Sequence, residues 1–271
     1  FMEKVKRNER ISAIIKMLSD SPNKIFTLSH FSNMFGSAKS TISEDVAIVQ
    51  SSIEKYQLVR IETVPGAAGG VKYIPCKKSD VKEFIADMCN TLSDGERILP
   101  GGFLYMVDIL SNPETVAKMG EILAMEFYKS NPDFVLTIET KGIPVALMAA
   151  RALNITLLVA RRDAKISDGS VVSINYVTGT AGRIQNMSLP KRAVGNGQKA
   201  LIVDDFMKGG GSAKGLMDMM KEFSITVVGV GVVISTKYPE AKRVKEYKSL
   251  MELHNVDEIN NAVDVRPSGW I

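Results

Sequence analysis

The chain has 271 residues, of which 45% are apolar and 24% charged, with 21 Gly, 10 Pro and a net charge of +4. This composition excludes a disordered or fibrous chain, and the length suits about two domains at roughly 100 to 200 residues each. No apolar run approaches the ~20 residues of a membrane span and no secretory core follows the N-terminus, so a cytoplasmic protein with no membrane partner is expected. The two cysteines, Cys76 and Cys89, form no Cys-x-x-Cys, which argues against a structural zinc or disulfide framework. Ten Lys/Arg against seven Asp/Glu fall in the first 75 residues. Most of the positive excess therefore sits there, where a dimer would double it into a surface for phosphates.

Ile11, Ile14, Ile15 and Leu18 repeat with helical spacing, and Lys6 and Arg7 stand at the start of that helix. Thr27 can cap a second, short helix burying Leu28, Phe31 and Met34 or Phe35, and Gly36 supplies a left-handed stop. A third helix is predicted to open on Thr41-x-x-Glu44 as a capping box and to bury Ile42, Val46, Val49 and Ile53. Lys39, Ser40, Thr41, Ser43 and Glu44 then lie on or near its polar face, with side chains that suit phosphates and base edges in a major groove. Residues 58–64 and 71–74 read as two strands around a loop containing Gly69 and Gly70, with Arg60 and Lys72 on the strands. Helices with a tight turn followed by such a hairpin make a winged helix-turn-helix over residues 1–75. The glycines would let the wing tip approach a DNA backbone.

Residues 77–92 carry an amphipathic pattern, and a Gly- and Pro-rich junction follows. From Asn112-Pro113 onward, helical segments alternate with apolar runs at 134–138, 156–160, 200–203 and 226–234. That alternation predicts an α/β fold with a doubly wound parallel sheet over residues 76–271, binding its ligand beyond the strand C-termini. The most informative run is Ala200-Leu-Ile-Val-Asp204-Asp205-Phe206-Met207-Lys208-Gly209-Gly210-Gly211-Ser212. A buried strand leads through three glycines into a helix, whose free amides and dipole favour a phosphate. Asp204 and Asp205 can accept hydrogen bonds from a ribose diol, which suits a phosphoribosyl ligand.

This run resembles the phosphoribosyl pyrophosphate motif of the type I phosphoribosyltransferase fold. Glu139-Thr140-Lys141-Gly142-Ile143-Pro144 stands where that fold carries its pyrophosphate loop. The polar stretch between Arg161 and Arg183 stands where it carries a flexible loop, and implies pyrophosphate contacts for Arg162 and Lys165. With the winged helix in front, the whole chain resembles the purine operon repressors of Gram-positive bacteria. The resemblance implies a homodimer that binds operator DNA and senses phosphoribosyl pyrophosphate (PRPP), with Mg²⁺ held indirectly through Asp204 and Asp205, without consuming it. Met207 and Lys208 stand where many transferases have small residues, which sets a bulky group and a cation beside the ribose. Purine nucleotides or guanosine alarmones could compete for the pocket, with Phe103 as a stacking partner. The alternative is an active, xanthine-type purine phosphoribosyltransferase with an appended regulatory domain.

Overall fold

A computed structural model describes residues 5–56, 59–66, 69–75, 78–163, 169–178 and 182–271. The chain divides into two compact units, one of residues up to 77 together with 151–154, the other the remainder.

In the first unit, α1 (Arg7–Asp20), α2 (Leu28–Phe35) and α3 (Lys39–Lys55) precede an antiparallel hairpin of β1 (Arg60–Val64) and β2 (Gly70–Ile74). Thr27 Oγ1 accepts from the His30 amide at 3.1 Å and Gly36 closes α2 with φ +58°. Both roles follow from the side chains: a hydroxyl satisfies an orphan amide, and glycine tolerates the left-handed turn. Ile14, Leu18, Phe31, Phe35, Ile42, Val46, Val49 and Ile53 form one core with Ile61 and Val71 of the hairpin. Met34 stays outside, half exposed, while Phe35 is buried. The capping box expected at Thr41 and Glu44 does not form. Helix α3 begins earlier, at Lys39 with Ala38 as its cap, so Thr41 and Glu44 lie inside the helix.

The second unit opens with α4 (Lys78–Leu92), the two-residue strands β3 (Ile98–Leu99) and β4 (Phe103–Leu104), α5 (Val107–Ser111) and α6 (Pro113–Phe127). Next come β5 (Phe134–Ile138), α7 (Ile143–Leu153), β6 (Thr156–Ala160) and an antiparallel hairpin of β7 (Val171–Val177) and β8 (Ile184–Pro190). The chain ends with β9 (Lys199–Met207), α8 (Gly211–Glu222), β10 (Thr226–Thr236), β11 (Lys248–Asp257) and β12 (Ala262–Pro267). The sheet order is β12-β11-β10-β9-β5-β6, parallel except for β12 at one edge. Strands β5 and β9 are adjacent, but the chain leaves β5 toward β6 on one side and leaves β9 toward β10 on the other. Their C-terminal ends thus flank the point where winding reverses, which is where parallel sheets bind ligands. The runs 134–138 and 200–203 are fully buried, whereas the edge strand β6 buries only Ala160 and β10 is buried from Val230 onward. Strand β9 continues past the predicted Val203 to Met207, so both aspartates lie within the strand. Among the described residues no helix is long and apolar enough to cross a membrane.

Candidate functional site

Strand β9 delivers Asp204 and Asp205 to the sheet's reversal point with opposite surroundings. Asp204 is 7% exposed, its Oδ1 accepting from the Asp205 amide at 3.0 Å, whereas Asp205 is half-buried and lines a cavity of about 680 Å³. Burial, and second the neighbouring Asp205 charge, push the Asp204 carboxyl well above the usual carboxylate range. After Met207 the chain turns through Lys208 and Gly209 to Gly210, at φ +75°, and α8 starts at Gly211. This turn shapes a second hollow of about 170 Å³, lined by Asp204 and residues 206–213. The first amides of α8 have no acceptor within the helix, so a phosphate in this hollow would meet unpaired N–H groups.

The two cavities share Phe206 and Lys208, and Lys141 borders the larger. Residues 139–142 follow β5. A Cβ added to Gly142 would stand 2.5 Å from Asp204 Oδ1 and 2.7 Å from Thr137 Oγ1, so only glycine permits this loop to lie against the aspartate. Thr140 and Lys141 are exposed, and Glu139 Oε1 accepts from the Arg162 amide at 2.6 Å. That bond ties the loop after β5 to the end of β6 and leaves the Arg162 side chain exposed. Lys165 lies outside the described residues. Tyr176, on β7, is buried and donates to Gln185 Oε1 at 2.9 Å, and burial raises its phenol above the ordinary range.

At the far end of the larger cavity Phe103 is 69% exposed, beside Gly101, Gly102 and Met106. The β3-β4 hairpin that carries it is braced by Arg97, whose guanidinium donates to both Asp108 oxygens at 2.9 and 2.8 Å and to the Tyr105 carbonyl. Tyr238, Leu253, His254 and Asn255 complete the wall.

In the first unit, α3 and the hairpin bound a groove of about 490 Å³. Lys39, Ser43 and Gln50 line one side, Thr63, Pro65, Gly66 and Gly69 the other, and the Thr27–Ser29 turn closes it. Ser40 is exposed and Thr41 half-buried at the start of α3. Glu44, an acid that would repel DNA, is held by Arg7 at 2.9 Å. Beneath it Asp45, fully buried, receives Arg10 Nε at 2.6 Å and Nη2 at 3.2 Å, and Arg7 Nε lies 3.4 Å away. Lys6 and Arg60 are at the surface, Arg60 donating to Glu62 at 2.6 Å.

Residues 6–75 match the bacterial purine repressor N-terminal family and residues 107–268 the phosphoribosyl transferase domain family. The chain is 40% identical to the purine biosynthesis transcriptional repressor PurR of Bacillus subtilis, over 99% of this chain and 94% of that one. It belongs to the PurR family of purine biosynthesis transcriptional regulators. The purine biosynthesis transcriptional activator PurR of Lactococcus lactis subsp. lactis is 36% identical over 97% of each chain, so relatives of both signs exist. For the fold alone, an adenine phosphoribosyltransferase structure from Rhodothermus marinus covers 64% of this chain and 99% of its own, with a TM-score of 0.54 at 19% identity.

Against this PurR-family frame, three sequence expectations need correction. Lys72 is only 7% exposed and lies 3.5 Å from Glu62, its direct partner across the hairpin on the face opposite Val71; it is covered and not presented to DNA. Together with Arg60 it holds the partly buried Glu62 carboxyl below its usual range. Gly70 borders the groove beside α3, but it is buried at the start of β2 below the wing tip, where a Cβ would stand 2.1 Å from the Phe26 carbonyl oxygen and block the packing of β2 on residues 26–27. Met207 is 3% exposed and packs into the hydrophobic core, because β9 runs on to include it, so it borders the small hollow without standing out as a bulky exposed group. Sequence reading also missed Arg10 with Asp45, and residues 237–244. In the first case a buried salt bridge shows no periodic signal; in the second the segment has no regular element.

Proposed function

We propose that this PurR-family chain represses purine biosynthesis and transport genes, binding operator DNA as a homodimer through its winged helices. PRPP is the inducer in this reading, bound and released unchanged. The observation that carries it is the pairing of a partly open Asp205 with an amide-lined hollow at the sheet's reversal point, in the same chain as the winged helix. The small hollow suits a 5′-phosphate, Asp205 a ribose diol, and Lys141 with Arg162 a pyrophosphate. Asp205 offers hard carboxylate oxygens on the larger cavity, which fits Mg²⁺ held indirectly through the ligand. The ion would neutralise the pyrophosphate there; Asp204 supports Asp205 from below through its amide. Phe103 leaves room for a stacked base, so purine nucleotides or guanosine alarmones would compete with PRPP.

A coupling of about 1 to 3 kcal/mol between the two sites changes operator affinity roughly 5-fold to 150-fold, enough for a switch. A gel-shift on purine-gene upstream DNA with PRPP and Mg²⁺ titrated in should show the complex dissolving. An unchanged operator affinity at saturating PRPP would sink the inducer reading. In parallel, pyrophosphate release with any purine base, including xanthine, would make the chain an enzyme; none is expected.

A further inference from the structure

Residues 237–244 form an outer wall against the turn that precedes α8. Lys242 Nζ donates to the Lys208 carbonyl at 2.7 Å and to the Pro239 carbonyl at 3.0 Å, and the Arg243 amide donates to the Gly209 carbonyl at 3.0 Å. Thr236 adds a hydroxyl beside them. Its single proton goes to the Tyr238 carbonyl at 2.6 Å, so the Lys208 carbonyl, 3.3 Å away, depends mainly on the ammonium. Two consecutive carbonyls of a glycine-rich turn are therefore held outward by one short segment.

The consequence follows from peptide geometry. In a trans peptide the C=O and the next N–H point in opposite directions. Fixing the Lys208 and Gly209 carbonyls on residues 242–243 turns the Gly209 and Gly210 amides away from that wall. Three consecutive glycines have no intrinsic preference that would do this, since each visits both signs of φ. Burying an ammonium with carbonyl partners is costly, and burial lowers the Lys242 pKa, with Glu252 partly opposing the shift.

We propose that Lys242 is a positioning residue of the sugar-phosphate site: it touches no ligand, and by holding the Lys208 carbonyl it aims the loop amides at the phosphate. The inference rests on the sugar-phosphate reading of that hollow, and its test separates the two. In calorimetry on the full chain with PRPP and Mg²⁺, K242M should weaken binding about tenfold, as expected for loss of a charge-assisted hydrogen bond, and K242R should recover most of it. Ligand-free operator affinity should be unchanged in both variants, and loss of the hydrogen bond should lower the melting temperature of K242M by only a few degrees. In the ligand-free chain, the Gly209 and Gly210 amide resonances should broaden or shift in K242M and return in K242R, while Gly195 and Gly197 stay fixed. Wild-type affinity in K242M, equal losses in K242M and K242R, or unmoved Gly209 and Gly210 amides would overturn the positioning role. Absence of saturation with wild-type chain would instead sink the sugar-phosphate reading, and the ligand-free resonances would still decide the role of Lys242.

Discussion

Each unit buries an aspartate, and the two are treated in opposite ways. In the winged helix Asp45 is fully enclosed and receives two guanidinium hydrogen bonds from Arg10, so its charge is cancelled within the fold. In the phosphoribosyl transferase-like unit Asp204 is nearly as buried but lies beside a second carboxylate, with the Asp205 amide as its donor. The first carboxylate fixes a helix; the second keeps an unbalanced site that a cationic or hydrogen-bonding ligand would relieve. A buried carboxylate paired with a guanidinium marks architecture; one pushed toward its neutral form beside a second carboxylate is, on the proposed reading, where stability is given up for binding.

The sharpest way to break this contrast is to remove the pair in the first unit. Asp45→Ala leaves Arg10 buried without its partner and should cost about 3 to 5 kcal/mol in denaturant unfolding, with operator binding lost. Next, Gly142→Ala forces a methyl into the space held by Asp204 and Thr137. Displacing the loop should cost about 1 to 3 kcal/mol and weaken PRPP binding by tenfold or more in calorimetry.

A smaller effect of the opposite sign is expected at Asp204. Its carboxyl titrates higher in the folded than in the unfolded chain, so the folded state holds the extra proton between the two pKa values. Its contribution favours folding at low pH and is lost as pH rises through that window. Asp204→Asn should therefore raise the stability of the ligand-free chain at neutral pH, read by denaturant unfolding, and flatten this part of the pH dependence. It should weaken PRPP binding at the same time. If the variant is less stable at neutral pH, the contrast fails. The smallest effect separates Lys39 from Lys72. Lys39→Ala should weaken operator binding severalfold and lower its salt slope by about one, while Lys72→Ala leaves the slope unchanged.

The elements are largely legible in the sequence. The runs 134–138 and 156–160 coincide with β5 and β6, and Thr27, Gly36 and Asn112 punctuate the chain as their chemistry requires. Spacing reveals where apolar side chains recur, and it places the glycine-rich turn between β9 and α8 for the same reason. It says less about polar residues, because a charge on a strand or helix may face either way until its partner is known. The sequence does not show that Lys72 is covered, since its partner Glu62 lies on the other strand, nor that β9 runs on through Asp204 and Asp205 to bury Met207. Arg10 and Lys242 were invisible for a related reason: each acts through a contact 35 or 34 residues distant in sequence.

The close seating of Gly70 on the backbone of Phe26 also has a consequence for how sequences are chosen. Phe26 bridges to Val71 through hydrogen bonds of 2.9 Å in both directions, so the hairpin is stitched to the residue just before the Thr27 cap of α2. On the proposed operator reading, the β1-β2 hairpin and α3 then behave like the jaws of a locked calliper. A locked calliper selects by gauge, favouring duplexes whose local width already matches its opening and rejecting those that must be squeezed or pried to fit.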